Sequence, residues 1–223
     1  GRLAGRGALP DNAVVIKTIV TGDLGRKVAA AYGVKTLETL TGFKYIGEKM
    51  KEFEETGEHT FIFGYEESYG FLAGTFGRDK DAILSAYLIA EMAAYHKEKG
   101  RNLLQVLEQL SQRHGYFRED LVSIELADMA ESAVIMRSFD QIPPVVAGEK
   151  VIEKRDYKQR KCWDLVNGKE QPLELPCSEV LYYRLESGAW FCIRPSGTEP
   201  KIKLYFSVSD DTAAGAESKL AAL

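Results

Sequence analysis

The sequence predicts two domains of different architecture, an α/β three-layer domain followed by an α+β domain. Up to about residue 114, buried strand-like runs alternate with helical runs, which is typical of helices packed on a mostly parallel sheet. From residue 115 onward most segments are strand-like, which favours a largely antiparallel sheet with few helices. We therefore expect domains at 1–114 and 115–223, and the chain of 223 residues is long enough for both.

In the first domain, continuous apolar runs predict strands and 3.6-residue periodicity predicts helices. The predicted strands are AVVIKTIVTG (13–22), VKTLETL (34–40) and HTFIFGYE (59–66). The predicted helices are GRKVAAAYG (25–33), YIGEKMKEFEETG (45–57), DAILSAYLIAEMAAYHKEKG (81–100) and LLQVLEQLSQRHG (103–115). The helix at 81–100 has the clearest pattern, an apolar stripe made of Ile83, Leu84, Tyr87, Leu88, Met92 and Tyr95.

The second domain has shorter segments with alternating polarity. Its predicted strands are DLVSIEL (120–126), VIEKRDY (151–157), EVLYYRLESG (179–188), AWFCIRP (189–195) and KIKLYFSVS (201–209). Its predicted helices are DMAESAVIMRSF (128–139) and TAAGAESKLAAL (212–223), and QIPPVVAGEK (141–150) is predicted to be a turn-rich break. Helices packed on such a sheet make an α+β domain.

Composition narrows the functional classes. Apolar residues make up 45% and charged residues 28% of the chain, as in ordinary globular proteins. The net charge of −4 gives no field that favours nucleic acid or an anionic membrane, so we expect neither as a partner. No apolar run approaches about 20 residues, the length of a membrane span. Three cysteines without metal-ligand spacing are expected to be reduced thiols of a cytoplasmic protein.

The segment CIRPSGTEPKIKLYF (192–206) joins two predicted strands through an unusual turn. Arg194 ends the first strand, and its planar guanidinium fits a phosphate in bidentate fashion. Ser196 and Thr198 add hydroxyl donors, and Gly197 lets an anion approach the backbone N–H groups. The turn is a candidate phosphate cradle. The same residues are also typical of an ordinary hairpin turn.

The segment FIFGYEESYGF (61–71) follows a buried strand of the α/β domain, where ligands usually bind. Glu66 and Ser68 can accept from and donate to neighbouring hydroxyls of a ligand, and on an extended strand end they would point to the same side. Glu66 and Glu67 are also candidates for a general acid/base pair or for metal ligands, although adjacent residues point apart. A solvated acidic turn fits the pattern as well.

A lysine stands where the helix at 81–100 should begin. Positive charge at a helix N-terminus opposes the helix dipole, so Lys80 is a candidate functional residue. Asp79 and Asp81 on either side can instead simply neutralise it.

Three segments together resemble the α-D-phosphohexomutase family, the phosphoglucomutases and phosphomannomutases. They are GYEESYGF (64–71), GRDKDAILSA (77–86) and RPSGTEPKIKLY (194–205), in this order and at this separation. The stretch TIVTGDLGRKVAAAYGVKTLETLTGFKYIGEKM (18–50) is also similar to the family's third domain, so the resemblance covers nearly the whole chain.

The resemblance implies that the chain corresponds to the third and fourth of four domains. The third domain would carry a sugar-recognition loop with Glu66 and Ser68. The fourth would resemble TATA-binding-protein-like folds and carry the phosphate-binding loop. That loop consists of Arg194, Ser196, Gly197 and Thr198. Lys80 falls where the family has an active-site basic residue and is expected to assist.

Two motifs of the family do not occur in this sequence, the phosphoserine loop T-A-S-H-N-P and the magnesium loop D-G-D-G-D-R. The resemblance therefore implies that no catalytic nucleophile and no Mg²⁺ ligand lies in this chain, and that the chain alone is inactive. In the family, phosphate passes from the serine to the sugar phosphate, the bisphosphate turns over, and the other phosphate returns. The expected partners are a phosphosugar substrate, a glucose 1,6-bisphosphate activator and the N-terminal domains of the same protein.

The sequence leaves three functions open. The first is the C-terminal part of a phosphoglucomutase or phosphomannomutase that interconverts hexose 1-phosphate and hexose 6-phosphate. The second is a stand-alone phosphosugar-binding module. The third is a fragment of a phosphopentomutase or of a glucose-1,6-bisphosphate synthase relative. A serine loop and a metal loop encoded upstream of residue 1 would exclude the second.

Overall fold

The computed structural model describes residues 2–68, 70–141, 143–197 and 199–223. They form two compact units, Gly1–Gly115 and Tyr116–Leu223. Each unit is built around its own sheet.

The first unit contains five helices and four strands among its described residues. In chain order they are α1 (Arg2–Gly5), β1 (Ala13–Thr18), α2 (Leu24–Ala30), β2 (Lys35–Thr39), α3 (Phe43–Thr56), β3 (Thr60–Glu66), β4 (Gly70–Ala73), α4 (Ala82–Glu98) and α5 (Leu103–His114). The sheet order is β2-β1-β3-β4. β1 is parallel to β2 and β3, whereas β4 returns antiparallel to β3. The carboxyl ends of β1, β2 and β3 therefore share one edge of the sheet.

Alternate residues of β1 supply both faces of this sheet, which explains its nearly continuous apolar sequence. Val14 and Ile16 pack against the α3 residues Phe43, Ile46, Met50 and Phe53. Ala13 and Val15 pack on the other face, with Ala29 of α2. The unit is thus a sheet between helices, and β1 lies at its centre.

The second unit contains one antiparallel sheet and two helices among its described residues. Its elements are β5 (Tyr116–Glu125), α6 (Met129–Asp140), β6 (Val145–Val146), β7 (Glu149–Asp156), β8 (Lys161–Asp164), β9 (Lys169–Pro172), β10 (Leu181–Leu185), β11 (Trp190–Pro195), β12 (Lys201–Asp210) and α7 (Ala213–Ala222). The strand order is β5-β12-β11-β10-β7-β8-β9, and β6 pairs with β7.

One face of this sheet forms the core of the second unit. Tyr183, Leu185, Phe191, Ile193 and Ile202 are buried there. The apolar residues that pack against them from the helical segments are Ile135, Met136, Phe139, Leu220 and Leu223. The architecture is the sheet with helices that was expected of an α+β domain.

The structure differs from the sequence-based expectation in several elements. The break at 141–150 contains the short strand β6, and the segments that form β4, β8 and β9 were not predicted as strands. These strands have at most four residues, so their periodicity is too short to recognise.

The apolar stripe expected on α4 does not form a single buried face. Ile83 and Tyr87 are 85% and 64% exposed, whereas Leu84 and Leu88 are half-buried. Apolar residues surround this helix on most sides, so its sequence pattern alone does not select the packed face. Across the described residues, the helices are too short or too polar to serve as a membrane span.

Candidate functional site

The first candidate site lies at the sheet edge where β1, β2 and β3 end. Glu66 is the last residue of β3, and its side chain is only 4% exposed. Its Oε1 accepts a hydrogen bond from the backbone N–H of Gly42 at 2.8 Å, and its Oε2 lies 3.2 Å from Nζ of Lys80. Gly42 is the N-cap residue immediately before α3 and has φ of 120°, a conformation that favours glycine. The carboxylate of Glu66 is therefore fixed from two sides.

Lys80 is the cationic partner of this carboxylate, and 38% of its side chain remains exposed. Its Nζ lies 5.0 Å from the ring centroid of Phe43 and 3.4 Å from Oδ1 of Asp79. Burial lowers the pKa of Lys80, but the hydrogen bond and charge of Glu66, with a further contribution from Asp79, outweigh it and raise the pKa above 10.5. The lysine is thus a protonated, accessible cation at neutral pH.

The aliphatic part of Lys80 lies directly over Gly70, the first residue of β4. A Cβ at position 70 would come within 2.0 Å of Cδ of Lys80. Because Gly70 has no Cβ, the side chain of Lys80 can pass over it and reach Glu66.

Glu67 points away from Glu66, as expected for adjacent residues. Its Oε2 lies 3.2 Å from Oγ1 of Thr18 and 3.0 Å from Oγ1 of Thr21. The two glutamates therefore bind different parts of the sheet edge and do not act on a common atom. This arrangement removes the acid/base pair from the alternatives for the loop.

Ser68 does not lie on an extended strand end, which is the conformation that was expected to place it on the same side as Glu66. β3 ends at Glu66, and the next two residues form a turn, so strand alternation does not extend to Ser68. The serine is exposed in this turn. The structure brings Glu66 of the expected sugar loop into contact with Lys80, the expected assisting residue, while Ser68 stays accessible to a ligand.

Two threonines at the same edge were missed by the sequence argument. Thr39 ends β2, and Thr41 immediately precedes Gly42. Their Oγ1 atoms are buried and have no hydrogen-bond partner within the described ranges. A buried hydroxyl without a partner is costly unless a ligand or water satisfies it. A signal was available in the sequence, because Thr39 lies at the end of the predicted strand at 34–40 and Thr41 directly follows that strand.

The second candidate site lies in the second unit, at the hairpin between β11 and β12. The backbone N–H of Ser196 donates to the carbonyl of Lys201 at 2.8 Å, and the N–H of Glu199 lies 3.3 Å from Oγ of Ser196. Gly197 is exposed, and an added Cβ there would meet nothing within 4 Å. Thr198, the fourth residue expected in this loop, lies outside the described residues. The described part of the loop is open to a ligand.

Arg194 stands opposite Lys203 in the antiparallel pairing of β11 and β12. Directly opposed side chains have Cβ atoms about 4.5–5.5 Å apart, and like charges in such a pair destabilise a sheet. Neither cation has an acidic partner within the described ranges, and both are half-buried. A bound anion would neutralise this pair. Lys203 was missed because its role depends on the strand register and not on the loop sequence.

A magnesium ion, which the resemblance implies for the intact enzyme, does not fit the described residues. They contain no group of three or more His, Cys, Asp or Glu side chains able to hold a metal ion. The chemistry of the two loops is therefore that of carboxylate, hydroxyl and cationic groups. Cys162, Cys177 and Cys192 likewise form no disulfide with one another.

Comparison with known families assigns both units. The family model described as "Phosphoglucomutase/phosphomannomutase, alpha/beta/alpha domain III" matches residues 2–114. The model described as "Phosphoglucomutase/phosphomannomutase, C-terminal domain" matches residues 129–221. The two units thus correspond to two domains of one protein family. The chain belongs to the phosphoglucomutase/phosphomannomutase family, which confirms the family predicted from its three segments.

Curated relatives agree with this assignment. A phosphoglucomutase of Staphylococcus epidermidis is 40% identical over 204 residues, which cover 90% of this chain and 37% of the relative. A phosphoglucomutase of Staphylococcus haemolyticus is 36% identical over 207 residues, with 91% and 37% covered. The chain therefore spans little more than a third of the length of these relatives.

Among solved structures, the open form of the Paramecium phosphoglucomutase pp63/parafusin has a similar fold. It matches with a TM-score of 0.62 at 22% sequence identity, over 93% of this chain and 36% of that protein. A phosphomannomutase homologue from Thermus thermophilus matches with a TM-score of 0.57 at 16% identity, over 95% of this chain and 35% of that protein.

Proposed function

We propose that this chain is the C-terminal part of a phosphohexomutase that interconverts glucose 1-phosphate and glucose 6-phosphate through a bisphosphate intermediate. The observation that carries the proposal is the buried carboxylate of Glu66, held between Gly42 and the accessible cation Lys80. The names of the staphylococcal relatives support a glucose phosphate over a pentose phosphate.

The first unit would recognise the sugar. A carboxylate has about four lone-pair positions, so Glu66 can accept from neighbouring sugar hydroxyls while it stays bound to Gly42 and Lys80. Ser68 would add a hydroxyl from the exposed turn. The unpartnered hydroxyls of Thr39 and Thr41 are further candidates at the same edge. Lys80 would place a positive charge beside the sugar or its phosphate.

The second unit would hold the phosphate that does not react. Arg194 and Lys203 supply paired positive charge, and the hydroxyl and backbone groups of the hairpin supply neutral donors. The hairpin donors are expected to be Ser196, Gly197 and Thr198. We propose that this unit is the TATA-binding-protein-like fourth domain of the family.

Phosphoryl transfer itself would depend on parts that this sequence does not contain. In the proposed reaction a phosphoryl group would pass from a phosphoserine to a sugar hydroxyl, and the other phosphoryl group of the resulting bisphosphate would pass to the serine. A Mg²⁺ ion held by other domains would supply stabilisation of the charge. In this proposal the serine and the Mg²⁺ ligands belong to N-terminal domains, and glucose 1,6-bisphosphate acts as activator. This chain would contribute only binding and orientation, in the cytoplasm, where sugar phosphates are metabolised.

A titration of the ¹⁵N-labelled chain with glucose 6-phosphate, followed by NMR, tests the proposal. We expect the amide signals of Gly42 and of the 66–68 loop to shift, and those of the 194–197 hairpin to shift as well. The variant Glu66→Gln should lose the response of the first set alone, and Arg194→Ala that of the second alone. Mannose 6-phosphate serves as the comparison sugar. No shift at either loop up to about millimolar sugar phosphate, a typical upper KM, would contradict the proposal.

A further inference from the structure

A turn in the first unit is tied to the candidate sugar loop by a cluster of hydroxyl groups. Thr21 binds Glu67 twice, since its Oγ1 lies 3.0 Å from Oε2 of Glu67 and also accepts from the backbone N–H of Glu67 at 3.2 Å. Thr18, at the end of β1, lies 2.7 Å from the Thr21 hydroxyl and 3.2 Å from the same Oε2. Two hydroxyl protons thus serve three oxygen–oxygen contacts around one carboxylate.

The turn that carries Thr21 is itself held by a buried lysine. Lys17 is 1% exposed, and its Nζ donates to the carbonyl of Thr21 at 2.6 Å. The same Nζ lies 3.2 Å from Asp23 and 3.3 Å from Glu38. A buried charge is tolerated only when it is paired, so Lys17 keeps this turn in one position.

The two carboxylates that surround Lys17 are also held from outside, by Arg26. Its Nε lies 2.9 Å from Oδ1 of Asp23, and it forms a second ion pair with Glu38. Burial by itself raises the pKa of Asp23, but the charges of Lys17 and Arg26 together lower it below 3.8. Asp23 is therefore ionised at neutral pH, and its ion pairs with Lys17 and Arg26 hold the turn in place.

The consequence for the sugar loop is that its two glutamates are anchored in opposite directions. Glu67 is held on the side of the Thr18–Thr21 turn, and Glu66 is held on the side of Gly42 and Lys80. The backbone between them can then present Glu66 and the following turn in only one orientation.

We propose that Thr21 is a positioning residue for sugar recognition, acting through Glu67, and that Glu67 is an anchor of the loop and not a ligand of the sugar. This inference rests on the proposed function, because it assigns a specificity role to the loop that would bind the sugar. Thr18 supports the same anchor with a second hydroxyl.

The test compares Thr21→Val, which removes the hydroxyl at nearly constant volume, with Thr21→Ser, which keeps it. Glucose 6-phosphate affinity at the 66–68 amides should fall about fivefold or more in Thr21→Val and recover in Thr21→Ser. Inorganic phosphate binding at the 194–197 hairpin should stay unchanged in both. Thr36→Val is the matched control, because the Thr36 hydroxyl has no partner within the described ranges.

Glu67→Ala is a second variant that breaks the same contact and leaves residue 21 unchanged, so it covers the case in which Thr21→Val fails to fold. We expect Glu67→Ala to lose affinity for glucose 6-phosphate as Thr21→Val does. The double variant Thr21→Val/Glu67→Ala should bind glucose 6-phosphate no more weakly than the weaker single variant. Hydrogen exchange of the Glu67 amide should also accelerate in Thr21→Val.

These measurements distinguish a failure of the proposed function from a failure of the positioning role of Thr21. If the parent chain does not respond to glucose 6-phosphate, the proposed function fails. If the parent responds and Thr21→Val binds equally well, or if Thr21→Ser is as weak as Thr21→Val, the positioning role is wrong. Additive losses in the double variant would instead make Glu67 a direct ligand and overturn the inference.

Discussion

Oε2 of Glu66 and Nζ of Lys80 lie 3.2 Å apart although the two residues are fourteen positions apart in the sequence. The carboxylate is almost entirely buried, while the lysine remains partly exposed. This pair joins the end of β3 to the segment before α4. Among the ion pairs formed by the described residues between 64 and 80, it alone has a buried member.

Gly70→Ala should separate this pair with little loss of stability. The new Cβ would fall 2.0 Å from Cδ and 2.7 Å from Cγ of Lys80, and this flexible side chain must move aside. Sugar-phosphate affinity measured by NMR titration should drop as in Lys80→Ala, whereas the free energy of unfolding should change by less than about 1 kcal/mol. Gly5→Ala, where an added Cβ meets nothing within 4 Å, is the control. Unchanged affinity in Gly70→Ala would mean that the lysine does not serve the site.

Gly47→Ala should instead destabilise the first unit. Gly47 lies in α3, and an added Cβ would come within 2.7 Å of the backbone oxygen of Arg78. Backbone cannot move aside as a side chain can, so we expect a loss of about 1–3 kcal/mol in urea unfolding. Gly77→Ala is the matched control, because its Cβ would make only contacts of 3.6 Å and longer. Equal stability of the two variants would argue against close packing of α3 on the segment at 78–80.

Arg194→Ala and Lys203→Ala should each weaken phosphate binding to the second unit by about tenfold, the value of one charge-assisted hydrogen bond. Without phosphate, Lys203→Ala should be as stable as the parent or more stable, since it removes a like-charge pair. Calorimetric titration with inorganic phosphate and thermal unfolding give the two measurements. Lys201→Ala is the comparison, because Lys201 already has acidic partners in Glu125 and Glu199. A loss confined to Lys201→Ala would overturn the assignment.

Asp210 should make the second unit sensitive to acid. Its hydrogen bond with Lys219, helped by Thr212, lowers the pKa of Asp210 from 3.8 to about 2. A lowered folded-state pKa adds stability above the unfolded value, and this contribution is lost as the pH falls from 3.8 towards about 2. Asp210→Asn should therefore show a smaller fall in Tm over this range than the parent. Asp211→Asn is the control at an exposed neighbour, and a parent-like acid profile in Asp210→Asn would refute the prediction.

The isolated chain should have no mutase activity, because it contains neither the phosphoserine loop nor the magnesium loop of the family. A coupled assay with glucose 1-phosphate and glucose 1,6-bisphosphate measures this. Turnover of about 10 per second, typical of ordinary enzymes, would show that the chemistry lies within these 223 residues.

Much of this protein could be predicted from the order of its residues. The family, most of the longer helices and strands, and the two loops that carry Glu66 and Arg194 follow from local patterns. Periodicity reveals which segments bury an apolar face, and loops at strand ends keep recognisable polar residues because ligands contact them there. The divergence of Glu66 and Glu67 was also predictable, since adjacent residues on a strand point apart.

Only the tertiary structure decided which groups meet. The contact between Glu66 and Lys80, the burial of Lys17 and the pairing of Arg194 with Lys203 depend on which strands are neighbours and in what register. Side-chain identity carries no information on register when the partners are far apart in sequence. The position where β3 ends, which separates Ser68 from Glu66, likewise depends on the strands beside it, because a strand continues only as far as its neighbours supply hydrogen bonds.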